Sequence, residues 1–216
     1  MKKMILRKGH RLRPGGAYPK TTITIHSTAN AKSTALNERA WLDNPTNNRY
    51  ASWHYCVDES GVVQALPDKE EAWHCGDTEG NRHSLSIEIC ESGDRVKTLL
   101  NAVKFTAEKL VEYGLTIKEL RRHADWVNKD CPRILIVPVY IYRNYGWNWF
   151  VKQVEEAVES MKAEKRYNTI EDVPEWGKAT IQQLIDKGAI ADAHKLDLSE
   201  DMVRTLVIWA RFMARI

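Results

Sequence analysis

His26, His123 and Cys131 are the residues of this 216-residue chain whose types could hold a metal ion and leave one position open. His26 closes the alternating run Thr22-Ile23-Thr24-Ile25-His26. His123 and Cys131 share the segment RRHADWVNKDC, with Lys129 two residues before the cysteine. Zinc sites with three protein ligands keep the fourth position for water and are hydrolytic, whereas structural zinc takes four ligands. Glu88, in the strand-like run Ser84-Leu85-Ser86-Ile87-Glu88-Ile89, adds a carboxylate. A metal, a base and a fixed cation are the minimum set for amide hydrolysis.

Those residues need a rigid frame, and the pattern supplies one. Alternation over residues 21–26 puts Thr22, Thr24 and His26 on one face and Ile23 and Ile25 on the other. Residues 84–90 alternate likewise, with Leu85, Ile87 and Ile89 inward and Ser86, Glu88 and Cys90 opposite. Residues 33–43 read as a short helix ended by Pro45, and residues 53–58 and 62–66 as a hairpin around Glu59-Ser60-Gly61. Val96, Leu99, Leu100, Val103, Ala107, Leu110 and Val111 trace a helix stopped by Gly114. Residues 120–123 form a short strand or loop ending at His123. A further helix starts at Trp147 with Phe150, Val151, Val154, Val158 and Met161 on its apolar stripe.

The charged stretch over residues 162–166 marks the exit from that domain. Beyond it, one helix begins at Pro174 and stops at Gly188, presenting Trp176, Ile181, Leu184 and Ile185. Another is capped by Ser199, with Glu200 and Asp201 in its first turn and Val203, Leu206, Val207, Ala210 and Met213 as its stripe. The reading is a domain over 1–161, a linker over 162–169 and a helical module over 170–216.

Composition narrows the partners. A net charge of +3 is too small for a dedicated nucleic-acid binder. From Arg166 onward seven Lys/Arg face eight Asp/Glu, so the positive charge lies in the residues before it, which suits a polyanionic surface. No run approaches the roughly 18 apolar residues of a membrane span. Charge returns at Arg7, which leaves no apolar signal-peptide core and predicts synthesis in the cytoplasm. Cys56, Cys75, Cys90 and Cys131 lack a secreted-scaffold spacing and should be reduced there, leaving one free to act as a ligand.

The segments TITIHST, ASWHYCVDESGVVQALPD, EAWHCGD, NRHSLSIEIC and RRHADWVNKDCPRIL stand in the order found in zinc-dependent N-acetylmuramoyl-L-alanine amidases. Over roughly residues 20–160 the chain resembles this type 2 amidase family, whose fold is shared with peptidoglycan recognition proteins. The resemblance implies an α/β fold, a mixed central sheet flanked by helices with a zinc cleft at one end. It implies Zn2+ on His26, His123 and Cys131, Glu88 as base and then acid, and Lys129 as the catalytic lysine. Phage members without the glutamate use a tyrosine at the position of Trp53, and an indole cannot take up a proton. Alone, His26 would read as a polar strand-edge residue, Glu88 as a solvated strand residue and Lys129 as a surface lysine; together in these segments they read as a site.

Around that site His74 resembles the family's groove histidine, and Trp73 and Trp53 are further substrate-contact candidates. His54 reads as a supporting or core histidine, His83 as a loop residue, Tyr55 as a core residue, and Cys56, Cys75 and Cys90 as small buried hydrophobes. The tail resembles a helical module of some endolysins and a single S-layer-homology unit, although the Thr-Arg pair expected at its second helix is replaced by Met202-Val203-Arg204. These resemblances imply an endolysin acting on peptidoglycan, reaching the wall through a membrane lesion made by another protein. The tail would contact a secondary wall polymer or a second copy of the chain, and neither nucleic acid nor membrane is an expected partner. Two rival readings stay open: a non-catalytic peptidoglycan-binding module of the same fold, and an autolysin of the bacterium itself.

Overall fold

Small polar residues alternating with branched apolar ones in TITIHS and SLSIEI produce the two strands at the heart of the molecule. The computed structural model describes residues 1–136, 145–162 and 166–213. In chain order its elements are β1 (Lys2–Lys3), β2 (Thr22–Ser27), α1 (Ala35–Asp43), β3 (Tyr55–Asp58), β4 (Gly61–Gln64), α2 (Thr78–His83), β5 (Ser84–Ile89), α3 (Arg95–Tyr113), β6 (Leu120–Arg122), α4 (Arg133–Ile136), α5 (Trp147–Lys162), β7 (Arg166–Tyr167), α6 (Glu175–Asp186), β8 (Leu198–Ser199) and α7 (Glu200–Met213). The chain divides into two units, Met1–Met161 and Lys162–Ile216.

The first unit is built on a six-stranded mixed sheet of order β1-β4-β3-β5-β2-β6. The β3–β4 hairpin is antiparallel and the other neighbours are parallel. One face carries Ile23, Ile25, Leu85, Ile87 and Ile89 against Leu99, Val103 and Leu110 of α3 and Phe150 and Val154 of α5. Each such fully buried side chain contributes about 1.5–3 kcal/mol. The opposite face is divided. Over β3 and β4 it is apolar, and Ala35 and Leu42 of α1 cover it with Leu6 and Leu12. Over β2 and β5 it is polar, presenting Thr24, His26, Ser84, Ser86 and Glu88. That polar half is the floor of a cleft.

Caps fix where the helices begin. Thr34 Oγ1 accepts from the Asn37 N–H at 3.2 Å to start α1, and Asp94 Oδ1 accepts from Lys97 N–H at 3.0 Å to start α3. Gly114 ends α3 with φ of 65°, the left-handed cap that glycine takes without strain. Leu99, Val103, Ala107 and Leu110 of the expected α3 stripe are buried. Val96, Leu100 and Val111 are 36%, 49% and 37% exposed, while Thr98, Ala102 and Thr106 are buried. Small residues bring that side of the helix close to the strands. Trp53 precedes β3, which starts at Tyr55, and packs in one apolar cluster with Cys56.

The second unit has its own core of Tyr167, Ile170, Val173, Ile181, Leu198, Val203 and Val207. Gly177 lets α6 approach α7, because a Cβ there would collide with Val203. Lys162 closes α5, and Arg166 and Tyr167 pair with Ser199 and Leu198 in a two-residue ladder that helical periodicity could not reveal. Residues 163–165 lie outside the described residues. On α7 the stripe of Val203 and Val207 is buried, but Met213 is exposed, together with Ile208, Trp209 and Phe212. No described helix is long and apolar enough to cross a membrane.

Candidate metal centre and cleft

Register brings the site together. His26 at the end of β2 lies opposite Glu88 on β5, and Cys56 on β3 lies on the other side of Glu88. The pairing of Ile25 with Arg122 sets His123, the next residue after β6, beside His26. The loop after His123 folds back so that the Ala124 N–H reaches the Cys131 carbonyl at 2.9 Å. His26 Nδ1 and His123 Nδ1 are then 3.0 Å apart, and Cys131 Sγ is 3.8 Å from His26 Nδ1. The three ligand atoms lie within 4.8 Å of one another, and all three residues are buried. Glu88 Oε1 is 3.9 Å from His26 Nδ1.

Hydrogen bonds behind the rings select the tautomers. His74 Nε2 is 3.1 Å from the Gly80 carbonyl, an acceptor only, so that nitrogen carries the proton. His74 Nδ1 is therefore an acceptor, and His26 Nε2, 2.9 Å away, donates to it. This leaves the lone pair of His26 Nδ1 directed at His123 and Cys131. His123 is steadied by a hydrogen bond to the backbone of Cys75. The turn that carries these supports is held by Asn81, whose Oδ1 accepts the N–H groups of His74 and Cys75 at 2.9 and 3.0 Å. Gly80 is required in this turn, because a Cβ would strike Cys75 Sγ and the Trp126 ring.

This donor set fits zinc. Two nitrogens and one thiol sulfur are borderline-to-soft ligands, and ions bound at about 2.0–2.1 Å to nitrogen and 2.3 Å to sulfur need donors spaced much as these are. Metal ligation requires neutral imidazole. Burial holds His26 well below its ordinary pKa, helped by His74, His123 and the Lys129 ammonium; burial and then Lys129 lower His123 to about 4. Burial, with Glu88 adding to it, raises the Cys131 thiol to about 12, against which the Ser27 backbone and Lys129 act. Burial, then the charge of Glu38, pushes Glu88 up to about 8, with Lys129 opposing and Glu91 reinforcing. Among the described residues Glu88 Oε2 has no hydrogen-bond partner.

The cleft above these groups has a volume of about 620 Å3. Trp73, His74, Trp53 and exposed Lys129 line it, with Trp41, Glu38 and Arg49 further out. Trp53 is 6% exposed and stacks on Trp41 at 5.8 Å. His54 is buried below the floor: its Nδ1 accepts the Ser86 N–H at 3.0 Å and its Nε2 donates to the Glu70 carbonyl at 2.9 Å. Tyr55 lies on the other face of the sheet, in the core.

Four neutral histidines make the zinc-free protein sensitive to acid. His54 is lowered to about 3 by burial and then by Lys20, and His74 is held well below its ordinary value by burial and then by His54. An unfolded histidine gains its proton as pH falls through about 6.5, while these folded rings and those of His26 and His123 stay neutral. The unfolded chain thus binds more protons, and stability that is full above pH 6.5 is lost below it. Each ring costs about 1.4 kcal/mol per pH unit, against a total of about 5–15 kcal/mol for a typical domain. Urea midpoints of zinc-free protein should fall sharply from pH 7 to pH 5. Equal midpoints would mean that the rings are charged when folded.

A family model described as N-acetylmuramoyl-L-alanine amidase matches residues 16–134, which include His26, Glu88, His123, Lys129 and Cys131. The chain belongs to this amidase family. The family's CwlA from Bacillus subtilis (strain 168) is 42% identical over 121 residues, covering 53% of this chain and 43% of that protein. XlyA from the same organism is 29% identical over 197 residues, covering 88% and 63%. The chain therefore spans less than two thirds of either amidase. The solved catalytic domain of XlyA matches with a TM-score of 0.63 at 32% identity, over 71% of this chain and 97% of that one. The structure of PlyL matches with a TM-score of 0.62 at 30% identity, over 73% and 98%. The mixed sheet flanked by helices is thus the fold of these amidase-family structures.

Sequence reasoning missed the supports. Gly80 and Asn81 act through the backbone, and only the helix-start signal of Asp77 followed by Gly80 hinted at a fixed turn there. Glu91 and Arg133, which form an ion pair at the rim, carry no spacing signal at all.

Proposed function

We propose that the first unit is a zinc-dependent N-acetylmuramoyl-L-alanine amidase of the endolysin type. It hydrolyses the amide between the lactyl group of N-acetylmuramic acid and L-alanine of the peptidoglycan stem peptide. The observation that carries this reading is the convergence of His26, His123 and Cys131 beside Glu88 on the floor of an open cleft. His26 Nδ1, His123 Nδ1 and Cys131 Sγ would hold the ion. Zinc bound there supplies Lewis acidity that acidifies water and polarises a carbonyl. Glu88 takes the proton of the attacking water and delivers it to the departing amine, a role its place beside the three donors allows. Lys129, at the cleft wall, steadies the negative charge that develops on the carbonyl oxygen. Trp73, His74 and Trp53 contact the substrate from the same wall. Release of muramic lactyl ends and peptide amines from purified walls is the test; binding without new termini would point to a non-catalytic module.

The second unit serves attachment. Trp176, Ile208, Trp209 and Phe212 are exposed on α6 and α7, apolar surface that a second copy of this unit would cover while the pair holds a wall polymer. A chain ending at Lys162 keeps every proposed ligand. It should retain zinc and cleave soluble muropeptides at the full rate, yet sediment several-fold less with intact walls. Equal wall binding with unchanged monomeric mass would reduce the tail to a structural cap.

A further inference from the structure

Glu91 sits just beyond β5, where the segments that follow His26, Glu88 and Cys131 meet. Its side chain is 4% exposed, yet it carries an ion pair. Glu91 Oε1 accepts the Ala29 N–H at 2.9 Å. The Arg133 guanidinium grips both carboxylate oxygens, Nε at 2.9 and 3.1 Å and Nη2 at 2.5 Å. Ala29 follows His26 by three residues, Glu91 follows Glu88 by three, and Arg133 follows Cys131 by two. Each segment that bears a ligand or the base is therefore fastened to one buried carboxylate within a turn of its working residue. Ala29 has φ of 54°, a left-handed conformation that a residue with a Cβ adopts only when its surroundings hold it. The Glu91 carboxylate is such a hold.

Resting on the zinc-amidase reading, we propose that Glu91 is a positioning residue for the metal centre, tying the His26 and Cys131 segments to the end of the Glu88 strand. It touches neither ion nor substrate. A forked guanidinium–carboxylate pair fixes direction as well as distance, so the Cys131 segment is aimed at the histidines before any ion arrives. Loss of supporting hydrogen bonds around metal ligands commonly costs about 10–100-fold in affinity.

The test uses the full chain. Glu91→Gln keeps the shape and removes the charge that Arg133 grips. Its zinc affinity, measured by competition with a chromophoric chelator, should fall at least about tenfold. In the zinc-free protein, alkylation of Cys131 by iodoacetamide, read on its peptide by mass spectrometry, should become several-fold faster. Glu91→Asp, with the charge but shorter reach, should show smaller changes and guards against one variant failing to fold. Lys109→Met, on α3, breaks the ion pairs of Lys109 with Asp68 and Glu112. It should lower the melting temperature while leaving zinc affinity and Cys131 alkylation unchanged. Zinc affinity and alkylation within twofold of the parent in folded Glu91→Gln would overturn the proposal, as would equal losses in Lys109→Met. If the parent binds no zinc, the zinc reading fails; the alkylation comparison still decides whether Glu91 holds the Cys131 segment.

Discussion

Cys131→Ala should remove zinc and wall hydrolysis together, leaving the fold of the first unit in place. Cys131 lies on a loop, and truncation to alanine removes a single sulfur atom, so the void left is small. What it removes is the sulfur donor, without which two imidazoles must hold the ion alone. Activity in a turbidity assay should fall below detection, and elemental analysis should find no stoichiometric zinc. His26→Ala and His123→Ala should do the same. Full lysis by zinc-free Cys131→Ala would end the assignment of the site. The thiol's raised pKa, about 12 through burial and Glu88, adds a second expectation. Zinc must expel the Cys131 proton on binding, so affinity should weaken by about tenfold per unit fall in pH while one proton is displaced.

Glu88→Gln should separate base from metal. The amide keeps the size of the carboxyl group and cannot take a proton. Glu88 is not in the ligand set, so zinc content should stay near one per chain while turnover falls by about 10²–10⁴-fold. Burial and the Glu38 charge hold the Glu88 carboxyl high at about 8 in the absence of the ion. Glu38→Gln removes one of those causes and should move the basic group of the pH–rate profile downward with little change in zinc content. Retained turnover in Glu88→Gln would return that residue to an ordinary place on the strand and leave the proton without a named acceptor.

The central strands were legible because alternation and chemistry coincide in them. In TITIHS and SLSIEI the apolar set makes the core and the polar set makes the cleft floor, so His26 and Glu88 fall on the same side before any pairing is known. His123 and Cys131 lie eight residues apart, close enough for one loop to bring them together. The face of α3 was legible in part: Leu99, Val103, Ala107 and Leu110 are buried as expected, while Val96, Leu100 and Val111 are exposed and the buried Thr98 and Thr106 carry no apolar signal. The pairing of β7 with β8 spans 31 to 33 positions through two residues each, too few for a period to register. His74 illustrates the remaining gap. Its place in the cleft could be read from the residues around it, but its hold on His26 depends on a carbonyl at Gly80, and backbone acceptors are the same at every position.

The strand-and-loop origin of the donors also sets how an ion would leave. β2 is paired with β5 along its whole length, His26 opposite Glu88, and with β6 over Ile23–Ile25, so the backbone of His26 is held by the sheet. Cys131 belongs to a loop outside the sheet, held by backbone bonds such as those to Ala124 and Lys129 and by the Arg133–Glu91 pair. Local opening of such a loop costs a small fraction of global unfolding. A zinc ion held by these residues would therefore be expected to leave by way of the loop, the sulfur donor first, once the Arg133–Glu91 pair that fastens it parts.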